Sequence, residues 1–349
     1  MIRNYFLIAI RNLWRNKVMS LINLVGMAIG FGVFLTLLSW IRFDARFDKF
    51  HEDIEQMYVL NIRLTMNGSD YTAQRTGGIY SRVLEELFPR VKSSCRVSLP
   101  MEFEMGIPVE GADVDVPMKY YDERQVLMVD SNFFDYFTFP LLEGDPEQVF
   151  TARDQIVITE RLAKKLFGEK TAMNRQIRIG EGDYFTVVAV AEDPPAASTY
   201  QFNALLGFHV LEEMGYPVNS YGGTMYFNHF KLAEGTDLVA MDEAINKHVE
   251  ENFDADFDTW LFMDRFDRLH LHGEYKGVVG YLMNLIMAIV ILLIASINYI
   301  NLTTASSSQR IKEIAIRKST GASKRQLVFQ FLNESYILLF LALYMGFFI

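Results

Sequence analysis

The sequence predicts an α+β membrane protein in which transmembrane helices flank a large mixed α/β extracytoplasmic domain of two subdomains. Three observations carry that reading. Residues 18–41, 277–309 and 335–349 hold no Asp, Glu, Lys or Arg in a 349-residue chain that is 22% charged, and about 20 apolar helical residues suffice to cross a bilayer core. The flanks of these runs are basic: Arg3, Arg11, Arg15 and Lys17 precede the first, and Arg310, Lys312, Arg317, Lys318, Lys324 and Arg325 follow the second against one acid, Glu313. The stretch between them, residues 42–276, holds every acid of the chain except Glu313 and Glu334. Charge-free runs this long argue against a soluble protein. The 50% hydrophobic content argues against disorder, and the net charge of −10 against a nucleic-acid binder.

Residues 1–17 place Ile2, Phe6, Ala9, Ile10, Leu13 and Trp14 at helical spacing with arginines between them. That pattern suits a cytoplasmic amphipathic helix on the membrane face, or the first turns of the span itself. Residues 18–41 form span one. The run is about twice a signal-peptide core and passes through Ser39-Trp40-Ile41 without a small-x-small cleavage site. Gly26 and Gly30 make a small-xxx-small pair suited to helix packing. Basic flanks at both ends of the 42–276 loop place both ends inside and the loop outside.

Within residues 42–276 the patterns mix. Gly77-Gly78 opens a helical run to Phe88, stopped by Pro89, and Ser131 is placed to cap a helix over 132–137. Residues 154–159 alternate as a strand, followed by a helix over 160–167 closed by Gly168. Residues 176–179 and 184–190 read as a hairpin across Gly180-Glu181-Gly182-Asp183. Residues 225–232 read as a strand, 237–249 as a helix and 260–271 as mostly extended. Asp193-Pro194-Pro195-Ala196-Ala197 reads as a hinge or subdomain edge. Cys95, the one cysteine, permits no internal disulfide.

No catalytic or ligand-binding pattern closes. Gly168-Glu169-Lys170-Thr171 is the tail of a phosphate loop without its upstream glycine, and Gly180-x-Gly182 has Phe185 where a dinucleotide fingerprint needs its third glycine. Asp254, Asp256 and Asp258 imitate the start of a calcium loop that then lacks its glycine and its glutamate. His270 and His272 share one face of an expected extended segment with no third metal ligand. Neither a cofactor nor a metal is expected, and the chain is not expected to be an enzyme.

Residues 277–303 form span two, residues 304–327 a cytoplasmic segment, and residues 328–349 the start of span three. Ser308–Ser319 reads as a short basic helix with Ile311, Ile314, Ala315 and Lys318 on one face and Glu313 one turn before Arg317. Gly321 is placed to stop it and Ser323 to cap the next helix. Such a helix between two spans either lies on the membrane surface or is a lever presented to a cytoplasmic partner.

At these residues the chain resembles a family, the permease subunits of MacB- and FtsX-like ABC transporters. Residues 9–17 (AIRNLWRNK) and 24–30 (LVGMAIG) resemble the family's opening helix. Residues 131–134, 139–145, 156–160 and 165–168 resemble the MacB-type periplasmic core domain. Residues 297–302 (INYINL) and 310–323 (RIKEIAIRKSTGAS) are similar to the family's second-span exit and coupling helix. The resemblance implies a multi-pass inner-membrane permease that dimerises and transmits motion driven by ATP hydrolysis to its outer domain. The ATPase belongs to a separate subunit, and Arg310, Ile311, Lys312, Glu313, Ile314, Ala315, Arg317 and Lys318 form the surface it docks on. A periplasmic adaptor or outer-membrane factor and membrane lipids complete the implied partners, with no nucleic acid. Efflux of a macrolide or antimicrobial peptide, lipoprotein release and control of cell-wall hydrolases are the implied roles. Family members have four or eight spans, so this chain is expected to be a piece of a longer permease. Topology alone also suits a two-span membrane receptor with an extracytoplasmic sensor domain. A receptor would continue into a long cytoplasmic region, whereas here a short basic turn leads back into a third apolar run.

Overall fold

The computed structural model describes residues 11, 14, 17–66, 68–108, 118–180, 182–223, 225–253, 258–272, 278–321 and 323–349. Within these, the side chains of residues 66, 271, 272, 278, 279, 281, 305–310, 312, 313, 317 and 330 are not described. Most of the expected amphipathic helix over 1–17, and residues 254–257 of the acidic run, lie outside the described residues. In chain order the elements begin with α1 (Lys17–Asp44), β1 (Met57–Met66), β2 (Ser69–Ala73), α2 (Tyr80–Leu87), β3 (Val91–Ser98), β4 (Met101–Pro108) and β5 (Met118–Val129). Next come α3 (Phe133–Tyr136), β6 (Leu141–Glu143), β7 (Gln155–Thr159), α4 (Glu160–Phe167), β8 (Gln176–Ile179), β9 (Tyr184–Ala191) and β10 (Ala204–Gly207). The last are α5 (His209–Glu213), β11 (Tyr226–Leu232), α6 (Leu238–Asn252), β12 (Asp258–Arg265), α7 (Leu269–His272), α8 (Val278–Ser319) and α9 (Lys324–Phe347). They divide into a span unit, Met1–Ala45 with Val278–Ile349, and an outer unit, Arg46–Gly277.

Among the described residues of the span unit, three stretches are long and apolar enough to cross a membrane: Lys17–Asp44, Leu282–Thr304 and Lys324–Phe347. α8 runs unbroken from span two through the coupling segment, where the sequence suggested a span ending at residue 303 and a separate helix over Ser308–Ser319. The physical reason is composition: neither glycine nor proline occurs between Gly280 and Gly321, so nothing interrupts the backbone ladder. Gly321, at φ 95°, ends the turn. Ser323 then starts α9 with a reciprocal cap, accepting from Gln326 N–H at 3.4 Å while its own N–H donates to Gln326 Oε1 at 2.9 Å.

Among the described residues the outer unit is built on a 12-stranded sheet with a barrel subregion and a sheet subregion. β4, β5, β10, β7, β9 and β8 follow one another in space, and β10 closes the ring by pairing in parallel with β5, Ala204 opposite Val126 and Gly207 opposite Val129. Met105, Met128, Ile156, Ile158, Ile177, Val187 and Leu206 form the barrel's core, joined by Leu162 and Leu166 of α4. Thr159 caps α4 by accepting from Leu162 N–H, and Gly168 ends it at φ 64°. Alternate residues of the same strands, Leu205, Val157 and Ala189, enter a second core with Phe133, Phe137 and Phe139. β3, β11, β1 and β12 carry the sheet onward, and α2 and α6 cover one face through Tyr80, Leu84, Met241, Ile245 and Val249.

Among the described strands β12 has one neighbour, β1, so its other edge needs cover. Asn246 of α6 supplies it: its amide donates to the Leu261 carbonyl at 2.7 Å and accepts from Leu261 N–H at 2.8 Å. Asp242 accepts from Met263 N–H at 2.9 Å. Two local expectations are corrected. Ser131 does not cap α3; the cap position is Asn132, whose side chain is spent on the Ser94 carbonyl at 2.8 Å. Residues 266–272 are helical rather than extended, because the buried Phe266 and Leu269, three apart, pin a helical turn to the second core.

Candidate functional site

α1 packs against both neighbours through small residues. A Cβ on Gly30 would lie 2.5 Å from the Ala295 Cβ of α8, and one on Gly26 would lie 3.2 Å from Asn298 Nδ2. A Cβ on Gly346 of α9 would lie 2.8 Å from the Ala28 carbonyl, and Ala28 and Ala342 are buried side by side in one apolar cluster. Close backbone approach matters here because apolar spans gain packing rather than hydrophobic burial from one another. Gly30→Leu should therefore force α1 off α8, at about 1–3 kcal/mol by overpacking. The thermal unfolding midpoint in detergent should fall, while Ile29→Leu, at an exposed position, should leave it in place.

At its far end α8 carries the predicted coupling residues. Ile311 is 64% exposed, Ile314 half-buried, and Ala315 and Lys318 exposed. Helical geometry puts these four on one side. Arg310, Lys312, Glu313 and Arg317 lie on the same helix, but their side chains are outside the described residues. Ile316 is also 64% exposed and falls off the 311–314–315–318 face.

The described residues of the outer unit hold no group of three His, Cys, Asp or Glu placed for a metal. Cys95 is buried, which pushes its thiol well above the usual range and away from thiolate chemistry. Two buried polar residues of β11 are tied into the fold. Asn228 of β11 accepts from Ser81 Oγ and donates to Thr76 Oγ1 and the Gly77 carbonyl. His229 shares a hydrogen bond with Tyr200 Oη.

Comparison with known proteins places this arrangement. Residues 20–248 match the MacB-like periplasmic core domain, and residues 285–349 the FtsX-like permease C-terminal domain. The uncharacterized ABC transporter permease YvrN of Bacillus subtilis (strain 168) is 23% identical over 95% of this chain and 82% of its own length. YknZ of the same strain, also an uncharacterized ABC transporter permease, is 25% identical over 63% of this chain and 55% of its own. The macrolide export ATP-binding/permease protein MacB of Marinobacter nauticus is 22% identical over 94% of this chain, which spans 49% of that protein. The chain thus spans about half the length of most of the curated relatives it matches. The crystal structure of a permease-protein domain from Porphyromonas gingivalis shares the fold, with a TM-score of 0.52 at 20% identity over 60% of this chain and 90% of that domain. The protein is a multi-pass membrane protein with a large extracytoplasmic domain, and it belongs to the MacB/FtsX-like ABC transporter permease family.

Proposed function

We propose that the chain is the permease part of an ABC transporter and transmits motion, driven by ATP hydrolysis in a separate ATPase subunit, to the outer unit. The observation that carries this reading is the cytoplasmic end of α8, which presents Ile311, Ile314 and Ala315 on one side before the capped turn into α9. In the proposed complex these apolar residues dock in a groove of the ATPase, while Arg310, Lys312, Arg317 and Lys318 meet acidic or backbone groups at its rim. Buried apolar anchors hold such contacts together, and rim charges chiefly steer encounter. Because α8 is continuous, a tilt imposed at Ile314 reaches span two with no loop to absorb it. Gly26 and Gly30 then pass the tilt to α1, and the permease works as a dimer. An amphiphilic exported compound suits the relative named for macrolide export.

Ile314→Asp should put an unpaired charge into the docked surface and weaken ATPase binding by more than about 100-fold. Membrane insertion should be unaffected. The measurement is recovery of the cognate ATPase on the tagged permease in detergent, beside Val239→Asp, the same chemical change at an exposed position of α6. Equal recovery by wild type and both variants would remove the coupling role from this end of α8.

A further inference from the structure

The Asp193–Ala197 stretch, which reads as a hinge or subdomain edge in sequence, is held at its end by Asp48. It lies between β9 and β10, two strands of the barrel. Asp48, 1% exposed, reaches it from the segment that leads out of α1. The Asp48 N–H donates to the Ala197 carbonyl at 2.9 Å. Thr199 N–H donates to Asp48 Oδ1 at 2.7 Å, and Thr199 Oγ1 donates to Oδ2 at 2.5 Å. Asp48 holds a left-handed φ of 57°, a conformation that persists in non-glycine residues where the surroundings over-determine it.

The same segment is tied on both sides of Asp48. The Phe47 ring lies flat on that of His270, centroids 3.5 Å apart and 8° from parallel. His51 Nδ1 accepts from Thr138 N–H at 3.1 Å, and Glu52 N–H donates to Thr138 Oγ1 at 2.9 Å. His270 belongs to the returning segment that leads toward α8. That segment is anchored by Phe266, fully buried against Tyr200 and His229, and by the Leu269 carbonyl, which accepts from Gln74 Nε2 at 3.4 Å. The outgoing and returning segments are far apart in sequence, yet each touches the other and both reach the 193–200 loop or its Tyr200 neighbour.

We propose that residues 46–54, 193–200 and 266–272 form one mechanical clamp, latched by Asp48 on Thr199 and by Phe47 on His270. Through it, a displacement arriving along either connected span is delivered to the barrel as a whole. A single tethered strand would peel from the sheet one hydrogen bond at a time; a clamp that engages two segments and the β9–β10 loop loads them together. The clamp's purpose rests on the permease reading, whereas its existence does not.

The test is hydrogen–deuterium exchange of the 349-residue chain in detergent, without ATPase, on wild type, Thr199→Val, Thr199→Ser and His270→Ala. The decisive effects are the crossed ones. Thr199→Val should speed exchange in residues 266–272 by about tenfold, and His270→Ala should do the same in residues 193–200, with β7 and β9 unchanged. Thr199→Ser, which keeps the hydroxyl, should restore the wild-type pattern. Faster exchange confined to the segments each altered side chain touches directly would overturn the proposal, because the three pieces would then open independently. Spread of the effect into β7 and β9 would overturn it too, since no local unit would exist. Neither result bears on ATPase recovery by the Ile314 variant, so failure of the clamp and failure of the permease reading are told apart.

Discussion

Asn228→Ala is expected to destabilise the outer unit by about 4 kcal/mol, the sum of stranding several buried polar groups at roughly 1–3 kcal/mol each. Asn228 is fully buried, and its three hydrogen bonds, at 2.9 Å from Ser81 and 2.8 and 3.0 Å to Thr76 and Gly77, use both ends of its amide. Ser81 and Thr76 are themselves buried, so no water replaces the lost partner without opening the site. The Gly77 turn has no slack either. A Cβ there would come within 2.1 Å of the Ser220 carbonyl, and one on Gly78 within 2.2 Å of the Val218 carbonyl. The slowest-exchanging amides of β11 should exchange about a thousandfold faster in the variant. Wild-type protection would show that the amide is not the node holding α2 to the sheet.

Acidification should separate two other variants with opposite signs. Burial, then the neighbouring His51, holds His229 down to about 3; burial, then Lys231, holds His51 down to about 4. Folded, both are neutral; unfolded, each takes a proton near 6.5. Their contribution to stability is therefore complete above pH 6.5 and is lost as pH falls through the window toward 4 and 3, at up to about 1.4 kcal/mol per pH unit for each. Asp48 runs the other way. Burial, opposed by its Thr199 bonds, raises it to about 6, so its contribution is complete below its ordinary 3.8 and is lost as pH rises toward 6. Between pH 6 and 4 the two kinds of group oppose each other. Relative to wild type, His229→Phe should gain stability on acidification over that window and Asp48→Asn should lose it, each by about 2–3 kcal/mol. Unfolding of the full chain in detergent at pH 4, 5, 6 and 7 reads both; parallel curves for all three proteins would mean that neither group is held away from its ordinary value.

The parts of the fold legible in sequence are the local ones. α4 carries its own start at Thr159 and stop at Gly168, α6 its Asp237 cap, and the β8–β9 hairpin its alternation. The spans show because charge is costly in a bilayer. The barrel closure was hidden, since all four residues of β10 are buried and a strand covered on both faces has no alternation to read. The Ser131 cap failed because Asn132 spends its side chain on Ser94, a residue brought near by the fold alone. The break expected after span two failed because a serine- and threonine-rich stretch reads as a junction yet contains nothing that stops a helix. At the candidate site the isoleucine face of α8 could be read, whereas Asp48 and Thr199 could not: two polar residues so far apart in sequence carry no joint signature until the chain has folded.

The strand path also dictates an order of assembly. β1 lies between β11 on one side and β12 on the other, so the first strand synthesised cannot be completed until nearly the last residues of the outer unit have been delivered. Pairing across so long a stretch of chain is slow, and in the meantime β1 and β3 expose unpaired edges of the kind that recruit other chains. α8 begins only about a dozen residues after β12 ends, so the strand that completes the sheet is delivered just ahead of the second span. Newly made chain is accordingly most vulnerable to proteases and most dependent on holding factors before its second anchor is in place. Shortening the chain ahead of β12 should leave the outer unit unable to fold, however intact its barrel strands.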